Sequence, residues 1–518
     1  MNQTDRTTFK MFTVTAIETS NYHDSVVLMR VASQLKKRDG VSEVALFMGT
    51  QGNHDLLKQV GLSTPESRPA GPEDLIIIVK AESEELAAST RTEVVRMLAS
   101  RRETTENSLD YRPRTLERAF DFLPEASLAA ISIPGVYAAR EASRCLDREL
   151  SVFLFSDNVS LEDELALKRK AIAKGLLCMG PDCGTAYLNG VGLGFTNRVK
   201  RGRVGCVAAS GTGLQAVMCR IDQLGEGISH AIGVGGRDLS QKIGGLMTRY
   251  ALQLLDDDPS TELIVLLSKP PHPDVLEKLD ETINTMRTPV IAYFQGEKLT
   301  QREANRAKTL DGVAEMAVSQ LRDQPYTEKL FEQPDHVKAL IDCMSRGVKG
   351  ERIVCLYTGG TLAKETLLLL QELAGEVSFD LKDTHNHLVV DLGEDSYTIG
   401  KPHPMIAPEN RTEVLMTLAA GGKLGNCGTL LFDLVLGNGS HLNPAEELVS
   451  SLRLLKDKYD LAIPAAVAVI GTENDPQTRD EQIKILKEYG AAVFLKNSEA
   501  ARFAAALVVP ACRAGMLE

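Results

Sequence analysis

The chain has 518 residues, 43% apolar and 25% charged, with 58 basic against 70 acidic side chains and a formal net charge of −12. A length of this order holds about three to four domains, and no apolar run approaches the roughly 20 residues that span a bilayer. The negative field repels polyanions, and the lack of Trp with only 5% aromatics leaves few platforms for stacking bases. The expected partners are therefore small anionic molecules and other protein subunits, with neither nucleic acid nor membrane.

Residues 1–10, MNQTDRTTFK, carry no apolar signal core, and the nine cysteines show no CxxC spacing. Both features point to a reducing cytoplasm and away from disulfides or structural zinc.

In chain order, FTVTAI, SEVALFMG and DLIIIVK are predicted strands, and DSVVLMRVASQLKK and SEELAASTRTEVVRMLAS have helical period. They define a small α/β domain over residues 1–100. The polar stretch SRRETTENSLDYRPRT (100–115) is the predicted linker. Residues 116–197 hold LAAISIPG, SVFLFSDN and GLLCMGPDCG, a Rossmann-like unit. The same pattern recurs in 198–324 as GRVGCVAASGTG, HAIGVGG, ELIVLLSKP and PVIAYFQGE, and in 350–518 as RIVCLYTGGT, HLVVDLGED, TLLFDLVLGNGSH and AAVAVIGTEND. The fold class is α/β, with several Rossmann- or flavodoxin-like domains on mostly parallel sheets.

In such sheets ligands gather beyond the carboxyl ends of the strands. Two ends stand out: Ser210-Gly211-Thr212-Gly213, and Gly359-Gly360-Thr361 after Thr358. Each is a small-residue turn with a hydroxyl, opening a helix whose unpaired amides and positive dipole end suit a phosphate or carboxylate. A capped structural turn is the competing reading of each. No GxxxxGK[ST] occurs, so a Walker-type phosphate loop is excluded.

The charged residues after GVGG (Arg237, Asp238 and Lys242) pair either with substrate or with solvent. Cys183 has no His nearby in sequence and is expected to be an inert thiol. The last segment gathers ionisable groups at its strand ends: Asp391 to Asp395, Lys401, His403, Asn410, Arg411, Asn438, His441 and Glu473 to Asp475. Of these, Lys401, His403, Asn438 and His441 are candidates for orienting a substrate carboxylate or moving a proton. His385 and His387 share the spacing of one strand face but lack a third ligand, so no metal site is expected.

Residues 127–324 resemble the α subunit of succinyl-CoA synthetase, through GPDCG, GRVGCVAASGTGLQAV, GVGGRDL, DDPSTELIVLL and TPVIAYFQG. Residues 350–518 are similar to the carboxyl-terminal ligase domain of its β subunit. With FSDNVSLEDELALK, GGRDLSQKIGGLM, SKPP and GKPHPMI added, the whole chain resembles the FdrA family of acyl-CoA synthetase-like proteins.

The resemblance implies that the Ser210–Gly213 and Gly359–Thr361 turns match the two helix ends that cradle a phosphohistidine. The family's Gly-His-Ala-Gly motif has no counterpart, because EKLTQREANRAKTLDGVAEMA after PVIAYFQG contains no His. The nucleotide-binding domain is missing between the ligase-like segments. The glycine loop for CoA is replaced by the 1–100 unit, which leaves phosphate as the expected ligand and CoA as a second candidate.

The FdrA resemblance implies a component of a multisubunit oxamate carbamoyltransferase in purine-derived ureide catabolism, converting oxalurate and phosphate to oxamate and carbamoyl phosphate. Two alternatives remain open: an acyl-CoA synthetase acting with a nucleotide-binding partner, and a non-catalytic scaffold or regulatory subunit.

Overall fold

A computed structural model describes residues 11–23, 25–106, 113–296, 305–398 and 401–516. It divides into an N-terminal unit, Met1–Pro124 with Asp395–His403, and a larger unit, Glu125–Glu394 with Pro404–Glu518.

The N-terminal unit is built on Leu75–Ala81, whose LIIIVK sequence is an almost continuous apolar run. Such a strand must be buried on both faces, and it takes the centre of a three-stranded sheet between Phe12–Glu18 and Val41–Met48. Both pairings are antiparallel, an exception to the mostly parallel order expected from the sequence. Leu75, Ile77 and Val79 pack with Leu28, Val31, Leu35, Val94 and Leu98. On the opposite face Ile76 and Ile78 pack with Ala45 and Leu57. The helix Glu84–Glu106 runs into the predicted linker, and residues 107–112 of that linker lie outside the described residues.

In the larger unit, Leu128–Ile131, Ser151–Leu154 and Cys178–Met179 form a short parallel sheet. A six-stranded sheet follows in the order Val290–Phe294, Leu263–Ser268, Arg201–Ala208, Ile228–Gly233, Thr185–Leu188, Val191–Gly194. Its first four strands are parallel. The last two form an antiparallel hairpin, so residues that the sequence reading placed in the 116–197 domain complete the edge of the next sheet. Asn189 and Gly190, at φ 51° and 85°, make the two-residue turn, the left-handed pair that an Asn-Gly hairpin requires.

The third sheet is parallel at every pairing, in the order Val377–Ser378, His387–Asp391, Arg352–Tyr357, Cys427–Val435, Ala465–Ile470, Ala492–Phe494. One continuous apolar core runs through both six-stranded domains, with Val204, Leu214, Val265 and Val313 in the same cluster as Ile353, Leu362, Leu431 and Phe503.

In each large sheet the strand order reverses about one strand. Arg201–Ala208 lies between Ile228–Gly233 and Leu263–Ser268, and Arg352–Tyr357 lies between His387–Asp391 and Cys427–Val435. The helices leaving these two strands, Gly211–Gln223 and Gly360–Leu373, therefore begin at the switch points where crevices open in such sheets.

Candidate functional site

The two helix starts meet. Ser210 Oγ and Thr361 Oγ1 are 2.5 Å apart across the join between the domains. Ser210 caps its own helix by accepting the Gly213 amide at 3.1 Å, the usual use of serine at this position. A Cβ on Gly213 would stand 2.5 Å from Ser210 Oγ and 3.0 Å from the Thr361 methyl, so glycine is what lets the second tip approach. Gln295, after Val290–Phe294, donates its Nε2 to the Thr361 carbonyl at 2.7 Å. Gly211 faces Thr185 and Gly184, the end of the GPDCGT turn.

The second tip is capped from the sheet. Asp433, inside the buried strand Cys427–Val435, accepts the amide of Thr358 at 2.7 Å, its hydroxyl at 3.0 Å and the amide of Gly359 at 2.8 Å. The buried Arg411 guanidinium lies 3.5 Å from the same carboxylate and donates to the Asp433 carbonyl. Burial raises the Asp433 pKa, while Arg411 and the two amides hold it down.

This revises the cradle read from sequence. The Gly359 amide serves Asp433, and the first-turn amides left for a ligand are those of Gly360 and Thr361, with Gly211 and Thr212 opposite.

Asp391, at the end of His387–Asp391, packs beside the second tip. Its Oδ1 accepts the Gly393 amide at 2.8 Å, and its Oδ2 would stand 2.4 Å from a Cβ on Gly360. Burial, with Glu394 and Asp433 nearby, raises its pKa to about 7 against the opposing pull of the Gly393 amide and Lys269. Lys269 is exposed; with Ser210, Ser268, Tyr293, Gln295 and Thr361 it lines a crevice too narrow for a water molecule. The hydroxyl pair must part before a tetrahedral anion can enter. A roomier hollow, about 650 Å³ against the edge strand Ala492–Phe494, is lined by Asp480, Lys484, Lys487 and Glu488. It is an open surface feature.

The remaining sequence candidates fall elsewhere. The Asn438 amide donates to the Thr196 carbonyl, which seats its loop on the Thr185–Gly194 hairpin's exit. His441 donates its amide to the Met405 carbonyl and accepts the Asn443 amide at Nδ1, 3.1 Å, just before the helix Pro444–Tyr459. Lys401 and His403 belong to the N-terminal unit. Burial lowers the His403 pKa to about 4, so its ring is neutral at pH 7.

Asp238 is fully buried and bonded to Lys168 and Thr248. Arg237 pairs with Glu164, and Lys242 with Glu162. These three charges hold the loop after GVGG. Burial pushes the Cys183 thiol up to about 12, which removes it as a nucleophile. His387 accepts the Ile353 amide and donates to the Ala374 carbonyl, both at 3.1 Å, so its ring is a strut rather than half of a metal site. Part of the histidine-free segment after Phe294, residues 297–304, lies outside the described residues.

Sequence reasoning missed Asp433, whose signal was legible: one carboxylate inside the apolar run TLLFDLVLG. Asp391 and Lys269 stand at strand ends in sequence, where nothing local assigns them a role.

Comparisons with known proteins agree with the coarse reading. The CoA-ligase family matches residues 356–507 and the CoA binding domain family residues 199–296, the segment that carries Ser210. Residues 11–113 match a family described as "AllF, heavy metal-associated domain". The uncharacterized protein YahF of Escherichia coli is 37% identical over 92% of this chain and 94% of its own length.

The α 2 subunit of the ADP-forming succinate–CoA ligase of Archaeoglobus fulgidus is 28% identical over 33% of this chain. That match spans 60% of the subunit. An ATP citrate lyase structure from Methanothrix soehngenii covers 78% of this chain and 84% of its own at 13% identity, with a TM-score of 0.34.

The metal implied by the N-terminal family's description does not fit the residues present. Residues 1–144 contain no cysteine, and residues 11–113 contain only His23 and His54. The His54 Nε2 bonds the Ala70 carbonyl and the His23 Nε2 bonds Asn21. Among the described residues no three metal-ligating side chains cluster, and no helix is long and apolar enough to cross a membrane.

Proposed function

Because this chain belongs to the family of the Escherichia coli protein YahF, and carries CoA-binding and CoA-ligase domains, we propose that it moves an acyl or carbamoyl group to or from phosphate held between Ser210 and Thr361. The observation that carries this reading is the 2.5 Å approach of the two helix starts from separate domains. Four amides and two hydroxyls there can surround three phosphate oxygens, and Lys269 supplies a cation at the rim.

With no histidine in the segment EKLTQREANRAKTLDGVAEMA, which follows Phe294, to carry the phosphoryl group, phosphate itself is the nucleophile. Its oxygen attacks the carbamoyl carbon, the carbon–nitrogen bond breaks, and the nitrogen takes up the proton that phosphate gives up. The helix ends stabilise the charge as it develops, without reorganising.

The finer reading, supported by the resemblance to the FdrA family, is the conversion of oxalurate and phosphate to oxamate and carbamoyl phosphate within a multisubunit complex. The test is phosphate-dependent formation of carbamoyl phosphate from oxalurate, with the chain alone and with its co-purifying proteins. Product that depends on Ser210 and Thr361 supports the reading; no turnover with every partner present removes it.

A second reading, acyl-CoA formation with a nucleotide-binding partner, is favoured by the CoA-binding and CoA-ligase matches. Calorimetric titration separates the two, since micromolar binding of CoA selects the second.

A further inference from the structure

An acid packs beside the second of the two helix starts. Asp391 Oδ2 is packed on Gly360, where a Cβ would come within 2.4 Å of it, and its other oxygen is held by the Gly393 amide. An ionised carboxylate at this point competes with any anion for the amides of Gly360 and Thr361, and repels a dianion. A protonated one has an O–H to donate to it.

We propose that Asp391 is a ligand-binding residue that takes up a proton when a tetrahedral dianion enters between Ser210 and Thr361, and donates that proton in a hydrogen bond to the anion. The proposal rests on the phosphate-cradle reading.

The surroundings favour such coupling. The charged groups acting on Asp391 are Glu394 on its own loop, Asp433 from Cys427–Val435, and Lys269 from the end of Leu263–Ser268. Burial acts most strongly and raises the pKa, Glu394 and Asp433 add to it, and the Gly393 amide and Lys269 oppose it. Together they bring the carboxyl to about 7 before any ligand arrives. An incoming dianion moves it further up, so binding and proton uptake are linked. Glu365, also raised to about 7, lies one turn further along the helix, where it bonds the Leu310 amide and Asn497. It serves as a control for titration elsewhere in the core.

Sulfate is the probe, because it has no proton of its own to lose near neutrality. Its affinity for the full chain is measured by calorimetry between about pH 6 and about pH 8. For a free-state pKa near 7 and a bound state that stays protonated, linkage gives about a tenfold loss of affinity across that range. Asp391→Asn keeps the hydrogen-bonding shape and abolishes the pH dependence, whereas Glu365→Gln retains it.

A pH-independent sulfate affinity in the unmodified chain, or a tenfold dependence that survives in a folded Asp391→Asn chain, overturns the proposal and leaves the cradle standing. If neither sulfate nor phosphate binds the unmodified chain at any pH, the cradle reading itself fails.

Discussion

Thr361→Ala separates the roles of the hydroxyl pair. In the resting chain Thr361 gives one neutral hydrogen bond, to Ser210 Oγ at 2.5 Å, worth about 1 kcal/mol net. Alanine is the better helix former by roughly half a kcal/mol, and Ser210 Oγ keeps the Gly213 amide at 3.1 Å. Stability should therefore move by no more than about 1 kcal/mol.

Anion binding is affected differently. A hydroxyl bonded to a charged oxygen contributes about 1.5–3 kcal/mol, but the resting hydroxyl pair must first be broken, at about 1 kcal/mol. The difference, about 0.5–2 kcal/mol, is roughly a 2- to 30-fold loss of affinity. The assay pairs a phosphate titration with a urea melt. The expected result is weaker phosphate binding with an almost unchanged midpoint; equal phosphate affinity in both chains refutes the role of the pair.

Three further outcomes follow from the same geometry. Asp433→Asn leaves Arg411 buried without its counter-charge and turns an amide nitrogen toward the Thr358 or Gly359 donor, so a loss of about 3–5 kcal/mol is expected in chemical denaturation. Adding Arg411→Met should recover much of it; an unshifted midpoint in the single variant would contradict the capping role.

Glu365 has its pKa raised from 4.5 to about 7 by burial and by Asp311. The folded chain therefore binds the extra proton, and the stability contributed by that proton is fully present below 4.5 and lost as pH rises through about 7. Denaturation midpoints across this window should show the fall, and Glu365→Gln should reduce it, leaving the share that Asp391 contributes. The N-terminal unit should hold no heavy metal: zinc carried through gel filtration with the full chain ought not to reach stoichiometric amounts, and a tightly held equivalent lost on substituting His23 or His54 would reverse that conclusion.

Much of the architecture was legible because the buried parallel strands, such as RIVCLY and LIVLLS, read as unbroken apolar runs ended by small residues. The two helix starts were legible for the same reason: Ser210 and Thr361 follow directly from strand ends. The antiparallel N-terminal sheet was not, since an apolar run such as LIIIV has no direction of its own and pairing is a long-range choice. The hairpin at Asn189-Gly190 carries its own local signal, an Asn-Gly pair between short apolar runs.

The acids escaped for a different reason. Asp433 and Asp391 come from two strands that flank Arg352–Tyr357, the strand leading to Gly360, in space but not in sequence, so only the sheet order brings them to its tip. Lys269 likewise reaches the crevice only because its strand adjoins Arg201–Ala208.

The most direct measurement is a crystal structure of the chain grown with inorganic phosphate. The account predicts that the Ser210–Thr361 hydroxyls part, with tetrahedral density within about 2.7–3.2 Å of the amides of Gly211, Thr212, Gly360 and Thr361. Hydroxyls still bonded to each other at saturating phosphate, with the anion bound elsewhere or not at all, would contradict it.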